Sequence, residues 1–204
     1  MRRLKNILKR VLPQDVCKFL ISVRYLNSIL RDRRKQEIIK KFQKKAGVKF
    51  FVETGTYKGD MVDAVKSHFD NVYFIELGKE LYENAKLRFA DSNKVHILNG
   101  DSVTVLPSLL RTINEKSLFW LDAHYSGGDT ARGKEETPIT EELNTILTHS
   151  VYGHVVLIDD ARLFDGNNGY PKIEDVESRV KAVWPNYVVE SKMDIIRIYP
   201  QNIL

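Results

Sequence analysis

The order of apolar and polar positions divides the chain into two kinds of pattern. Up to about residue 45, apolar side chains recur at three- and four-residue steps, the spacing that lines them along one side of an α-helix. Leu4, Ile7, Leu8 and Val11 make one such face, and Pro13 interrupts it. Asp15 is placed to cap a second helix that runs to about Phe42. Its apolar members are Val16, Phe19, Leu20, Val23, Leu26, Leu30, Ile38, Ile39 and Phe42. From Val48 the pattern changes to short apolar runs alternating with amphipathic stretches. Strands are expected at 49–54, 71–77, 95–99, 118–122 and 154–159, and helices at 57–69, 79–90, 103–113, 139–149 and 173–184. Two closing strands, 187–191 and 194–199, have only Lys192 and Met193 between them, which makes them antiparallel neighbours.

Five β–α alternations predict an α/β fold: a Rossmann-like, doubly wound, mostly parallel sheet with helices on both faces and a terminal antiparallel strand pair. An N-terminal basic helical arm, residues 1–45, precedes this body, residues 46–204.

Charge sharpens the division. The chain holds 32 Lys+Arg and 27 Asp+Glu, a net +5. Residues 1–45 hold 15 basic and 3 acidic side chains, or +12; the body holds 32 − 15 = 17 basic and 27 − 3 = 24 acidic, or −7. Two readings of the arm stay open. A basic amphipathic helix suits a membrane surface or a polyanion. The same helix also suits packing on the body or on a second copy in a homo-oligomer. Aromatic residues do not interleave with the early charges as a base-stacking surface requires, so nucleic acid is the weaker partner. The lone Cys17 excludes an internal disulfide framework and favours a reducing compartment. No stretch approaches the ~20 apolar residues of a membrane span, and Asp15 and Lys18 interrupt what would be a signal-peptide core. The expected location is cytoplasmic, peripheral at the membrane if the arm docks there.

In open α/β sheets ligands bind beyond the carboxyl ends of the strands, and the chemistry-bearing residues gather there. The first strand runs into Glu53-Thr-Gly55-Thr-Tyr-Lys-Gly59. Gly55 permits a tight turn with close approach of a ligand, and Gly59 is expected in the first turn of the following helix. Glu76 ends the second strand, 21 residues after Gly55, where a carboxylate offers paired acceptors to ribose hydroxyls. Asp101 and Ser102 follow the third strand; they suit an adenine edge, and Asp101 also suits a helix N-cap.

Together these positions resemble the class I S-adenosylmethionine-dependent methyltransferases over residues 46–204. That resemblance implies S-adenosyl-L-methionine as cofactor. Glu53, Gly55 and Gly59 would surround its methionine part, Glu76 its ribose, and Asp101 with Ser102 its adenine, while Asp122 would both contact the cofactor and act in catalysis.

The fourth strand ends in Asp122, and the fifth in Asp159-Asp160. Neighbouring strands would bring three carboxylates together, and a divalent cation removes their repulsion. Hard oxygen donors favour Mg²⁺. The arrangement resembles the metal-dependent O-methyltransferases, which include catechol and macrocin-type sugar enzymes. It implies Asp122, Asp159 and Asp160 as metal ligands, and transfer of a methyl group to a hydroxyl of a sugar, glycan or other diol. His124 is the candidate base, since its ordinary pKa suits proton removal near neutrality. Residues 125–138 read as a polar lid over the substrate. Two other functions compete: a nucleic-acid methyltransferase guided by the arm, and a catalytically silent cofactor-binding module.

Overall fold

The computed structural model describes residues 14–55, 57–122 and 137–203. The chain divides into two units, residues 1–38 and 39–204. In the first, helix α1 (Gln14–Ala46) begins; its last turns lie in the second unit. The helix expected from an Asp15 cap to Phe42 is thus present and ends one turn later, but it already includes Gln14, so Asp15 stands inside it and not at its cap. The expected face at Leu4–Val11, with Pro13, lies outside the described residues.

The second unit is a seven-stranded sheet in the order β3-β2-β1-β4-β5-β7-β6. Its parallel strands are β1 (Phe50–Thr54), β2 (Asn71–Glu76), β3 (Val95–Asn99), β4 (Ser117–Leu121) and β5 (Val155–Asp159). The antiparallel pair is β6 (Tyr187–Lys192) and β7 (Ile195–Pro200), with β7 against β5. Five further helices intervene: α2 (Asp60–Val65), α3 (Lys79–Arg88), α4 (Ser102–Leu110), α5 (Ile139–Leu147) and α6 (Ile173–Val183). This is the Rossmann-like architecture that the alternation predicts.

The near-continuous apolar runs of β1, β4, β5 and β7 follow from burial on both sides of the sheet. Successive side chains point to opposite faces. Val52, Phe119, Leu121, Val156, Ile158, Ile196 and Ile198 join Leu106, Leu143, Ile146, Val176 and Val180 in one core. Phe51, Phe74, Leu118 and Trp120 are equally buried on the alternate positions. There Phe51 packs on Phe69, Phe74 on Phe89 and Phe42 on Tyr199. Burying one such side chain is worth about 2 kcal/mol.

β1 lies between β2 and β4. The chain therefore winds outward from β1 to β3, returns, and winds the other way. The reversal leaves a crevice at the carboxyl ends of β1 and β4, where adjacent loops diverge.

One expectation fails locally. The helix expected at 57–69 begins only at Asp60 and passes into a 3₁₀ turn, Lys66–His68. Tyr57 and Gly59 both adopt left-handed backbone, with φ 53° and 79°, and Tyr57 donates its N–H to Glu76 instead of to a helix. Gly59 accordingly stands at the N-cap of α2 rather than in its first turn.

Candidate active site

β1 and its neighbours set the floor of the crevice. Gly55 N–H donates to Ile75 O (3.1 Å) and Asp122 N–H to Thr54 O (3.2 Å), so β1 is tied to both flanking strands just where they end. Gly55 has φ 75°, a conformation that costs a side-chain-bearing residue about 1 kcal/mol or more and glycine little.

Glu76 is buried, and its carboxylate is held from two sides. Oε2 accepts from Tyr57 N–H (2.9 Å) and Oε1 from Gly78 N–H (2.7 Å). Burial raises its pKa, and the two backbone donors act against that rise. Each oxygen keeps a second acceptor direction, so the group is both fixed and able to receive paired hydroxyls. Asp101 caps α4, accepting Val103 N–H at Oδ1 (3.1 Å), one of the two roles its position suggested. Ser102 follows it, buried in the first turn of α4.

Glu53 is buried in β1, at the register position opposite Phe74 and Trp120. Its alternate neighbour Thr54 points to the other face, beneath the crevice. There the structure holds a carboxyl that sequence reasoning passed over. Glu142, in α5, is fully buried, and no hydrogen bond of ordinary geometry reaches either of its oxygens; Thr54 Oγ1 is likewise without one. Burial raises the Glu142 pKa from 4.5 to about 7. The nearby Ser102 and Thr54 hydroxyls oppose the rise, and the charges of Asp101 and Asp122 add to it. A carboxyl in such a place is kept partly protonated near neutrality.

Asp122, Asp159 and Asp160 converge. One carboxylate oxygen from each lies within 4.8 Å of the others. Asp159 and Asp160 are buried and Asp122 half-buried. Three hard anionic donors at this range fit a divalent cation of the Mg²⁺ class. Asp160 reaches the cluster from left-handed backbone (φ 56°, ψ 45°). The following 3₁₀ turn, Ala161–Leu163, is fastened to the β6–β7 turn. Ala161 N–H donates to Asp194 O (3.0 Å) and Arg162 N–H to Asp194 Oδ1 (2.9 Å). The Arg162 guanidinium pairs with Asp194 Oδ2 and, at 2.7 Å, with Asp160 Oδ1. Met193 and Asp194 both have positive φ (58° and 64°), the backbone of a two-residue hairpin that matches sheet twist.

The structure therefore gathers Glu76, Asp101, Ser102, Asp122, Asp159 and Asp160 along the carboxyl edge, together with Gly55 and Gly59 in the loop after β1. His124 and most of the expected lid lie outside the described residues. The histidines without an assigned role sit elsewhere. His149 and His154 form a relay at the amino ends of β4 and β5: Ser117 N–H donates to His154 Nδ1 (3.0 Å), the two rings meet at 2.9 Å, and His149 Nε2 lies 2.9 Å from Leu110 O.

No family model matches the chain, and no curated protein matches it in sequence. Solved structures do. The O-methyltransferase TomG of Streptomyces achromogenes, involved in tomaymycin synthesis and bound to S-adenosylmethionine, superposes with a TM-score of 0.58 at 15% identity, covering 82% of this chain and 79% of that one. An O-methyltransferase from Bacillus cereus, in complex with S-adenosylhomocysteine, covers 97% of both chains with a TM-score of 0.57 at 13% identity. The 23S rRNA methyltransferase ErmE covers 80% of this chain and 67% of its own, with a TM-score of 0.52 at 15% identity. The chain thus has the fold of S-adenosylmethionine-dependent methyltransferases, on which acceptors as unlike as small molecules and RNA are served.

Proposed function

We propose that this protein is an S-adenosylmethionine-dependent O-methyltransferase, assisted by Mg²⁺, acting on a hydroxyl of a sugar, glycan or similar diol. The convergence of Asp122, Asp159 and Asp160 beside the crevice carries the proposal. The fold supports the cofactor class, and the donor set supports the metal.

The chain's own residues divide the work. Glu76, its oxygens already oriented by Tyr57 and Gly78, accepts the ribose hydroxyls. Gly55 and Gly59 let the loop after β1 approach the methionine part, with Glu53 beneath it. Asp101 and Ser102 border the adenine. Asp122, Asp159 and Asp160 hold the cation. When bound, S-adenosylmethionine supplies a methyl group on a good leaving group, and Mg²⁺ supplies a Lewis acid that lowers the pKa of a hydroxyl. The protein's remaining task is alignment and proton removal. His124, the base expected from the sequence, would take the hydroxyl proton onto its imidazole. The acidic edge also suits a cationic cofactor.

Calorimetric titration with S-adenosylhomocysteine, with and without Mg²⁺, tests both halves. Micromolar binding is the expected result, with acceptor-dependent turnover that stops in excess EDTA. An Asp159→Ala protein fully active in EDTA would overturn the metal assignment, and absence of S-adenosylhomocysteine binding would overturn the whole reading.

A further inference from the structure

The first unit presents a feature that the proposed chemistry does not use. Along α1, Val16, Phe19, Val23, Leu26 and Leu30 follow one another at steps of three, four, three and four. That spacing places them on a single stripe. All five are exposed: Phe19 by 67%, Leu26 by 56%, and the other three by about 40% (38–41%). Exposed apolar residues scattered singly need no explanation, whereas a contiguous stripe marks an interaction surface.

Charge chooses the occupant. Residues 1–38 contain 11 Lys/Arg and 3 Asp/Glu, a net +8. On a helical projection Arg33 and Arg34 flank the end of the stripe, while Arg24, Arg31 and Lys35 lie around one side. A second copy of this chain would bring +8 against +8. The positions beside the stripe hold a single acid, Asp15, next to Leu20, Ser22, Asn27 and Ile29, and so offer little complementary charge to a neighbouring helix. The stripe also stops after two heptads, at Arg33 and Glu37, short of the three to four that sustain a coiled coil. Nucleic acid would answer the charge but leave the apolar stripe uncovered. An anionic bilayer surface answers both, with apolar side chains entering the headgroup boundary and Arg side chains extending to phosphates.

We propose that α1 docks the protein on anionic lipid through Val16, Phe19, Val23, Leu26 and Leu30, with the flanking arginines on lipid phosphates. The inference does not depend on the catalytic reading. Co-sedimentation of the full chain with phosphatidylcholine vesicles, with and without about one third phosphatidylglycerol, tests it. Binding is expected only with the anionic lipid, and it should weaken as salt rises. The double variant F19D/L26D, substituted at exposed positions, should bind about tenfold or more weakly while unfolding at the wild-type temperature. R33E/R34E should lose the preference for anionic lipid. Equal binding to both vesicle types, or none to either, overturns the proposal. So does a concentration-dependent dimer that F19D/L26D abolishes, or RNA binding in place of vesicle binding. If S-adenosylhomocysteine binding fails while vesicle binding persists, the catalytic reading alone falls.

Discussion

The two ends of the sheet are built from the same strands and solve opposite problems. At the amino edge, His154 is buried yet satisfied. Ser117 N–H donates to Nδ1, which places the ring proton on Nε2, directed at His149 Nδ1; His149 in turn donates its Nε2–H to Leu110 O. Every polar atom of the relay has a partner, and the arrangement needs the His154 ring neutral. Burial and then His149 lower the His154 pKa from 6.5 to about 4. At the carboxyl edge, the buried Glu142 and Thr54 are left wanting beside a cluster of like charges. Glu142 and Thr54 lack hydrogen bonds of ordinary geometry, three aspartates crowd together, and Asp160 sits in strained backbone. Satisfied burial fixes a fold, while unsatisfied burial stores binding capacity.

The contrast can be broken most sharply in activity. Asp159→Ala should lower turnover about a hundredfold or more, equivalent to about 3 kcal/mol of barrier, while leaving the unfolding midpoint within a few degrees. A steady-state assay beside a thermal melt reads both. Equal loss of activity and stability would make Asp159 a folding residue.

The two edges should also respond to pH with opposite sign. Neutral His154 contributes stability that is complete above pH 6.5 and is lost as pH falls towards about 4, a change of about 3 kcal/mol. Glu142 has a raised pKa, so its favourable contribution is complete below pH 4.5 and is lost as pH rises through about 7, again by about 3 kcal/mol as an upper figure. In the wild type the slopes partly cancel. Urea unfolding from pH 4.5 to 8 should show the falling slope unmasked in His154→Gln and the rising slope unmasked in Glu142→Gln. Glu142→Gln should be more stable than wild type at pH 8 by about 1 kcal/mol or more. Identical pH profiles in the three proteins would refute the assignment of opposite signs.

The smallest effect concerns Arg162, about half exposed, which pairs with Asp160 and Asp194. Arg162→Ala should cost about 0.5–1 kcal/mol in EDTA, and millimolar Mg²⁺ should restore part of it by taking over the neutralisation of Asp160. A loss that no divalent cation repairs would assign Arg162 to the hairpin turn alone.

Much of this architecture is legible in the amino-acid sequence. The strands of the body fall within a residue or two of the apolar runs, because burial on both faces leaves an unbroken hydrophobic signal. The residues at strand ends were legible because topology, not local geometry, carries them to one edge. The loop after β1 was not, since the left-handed Tyr57 depends on a carboxylate 19 residues away. Glu142 did leave a signal: it stands three after Ile139 and four before Ile146, on the apolar side of its helix. The adjacent Glu141, exposed to solvent, made the pair read as an ordinary polar first turn. The Arg162–Asp194 clasp spans 32 residues and has no local pattern at all.

The relay between His149 and His154 has one more use. Because its chain of donors fixes a single tautomer for each ring, the four ring nitrogens should give distinct protonated and unprotonated resonances in nitrogen-15 NMR. The resonances arise at the far edge of the sheet from Asp122 and Glu142. The molecule thus carries a built-in spectroscopic gauge of its scaffold, against which ligand-induced changes at the carboxyl edge can be read separately.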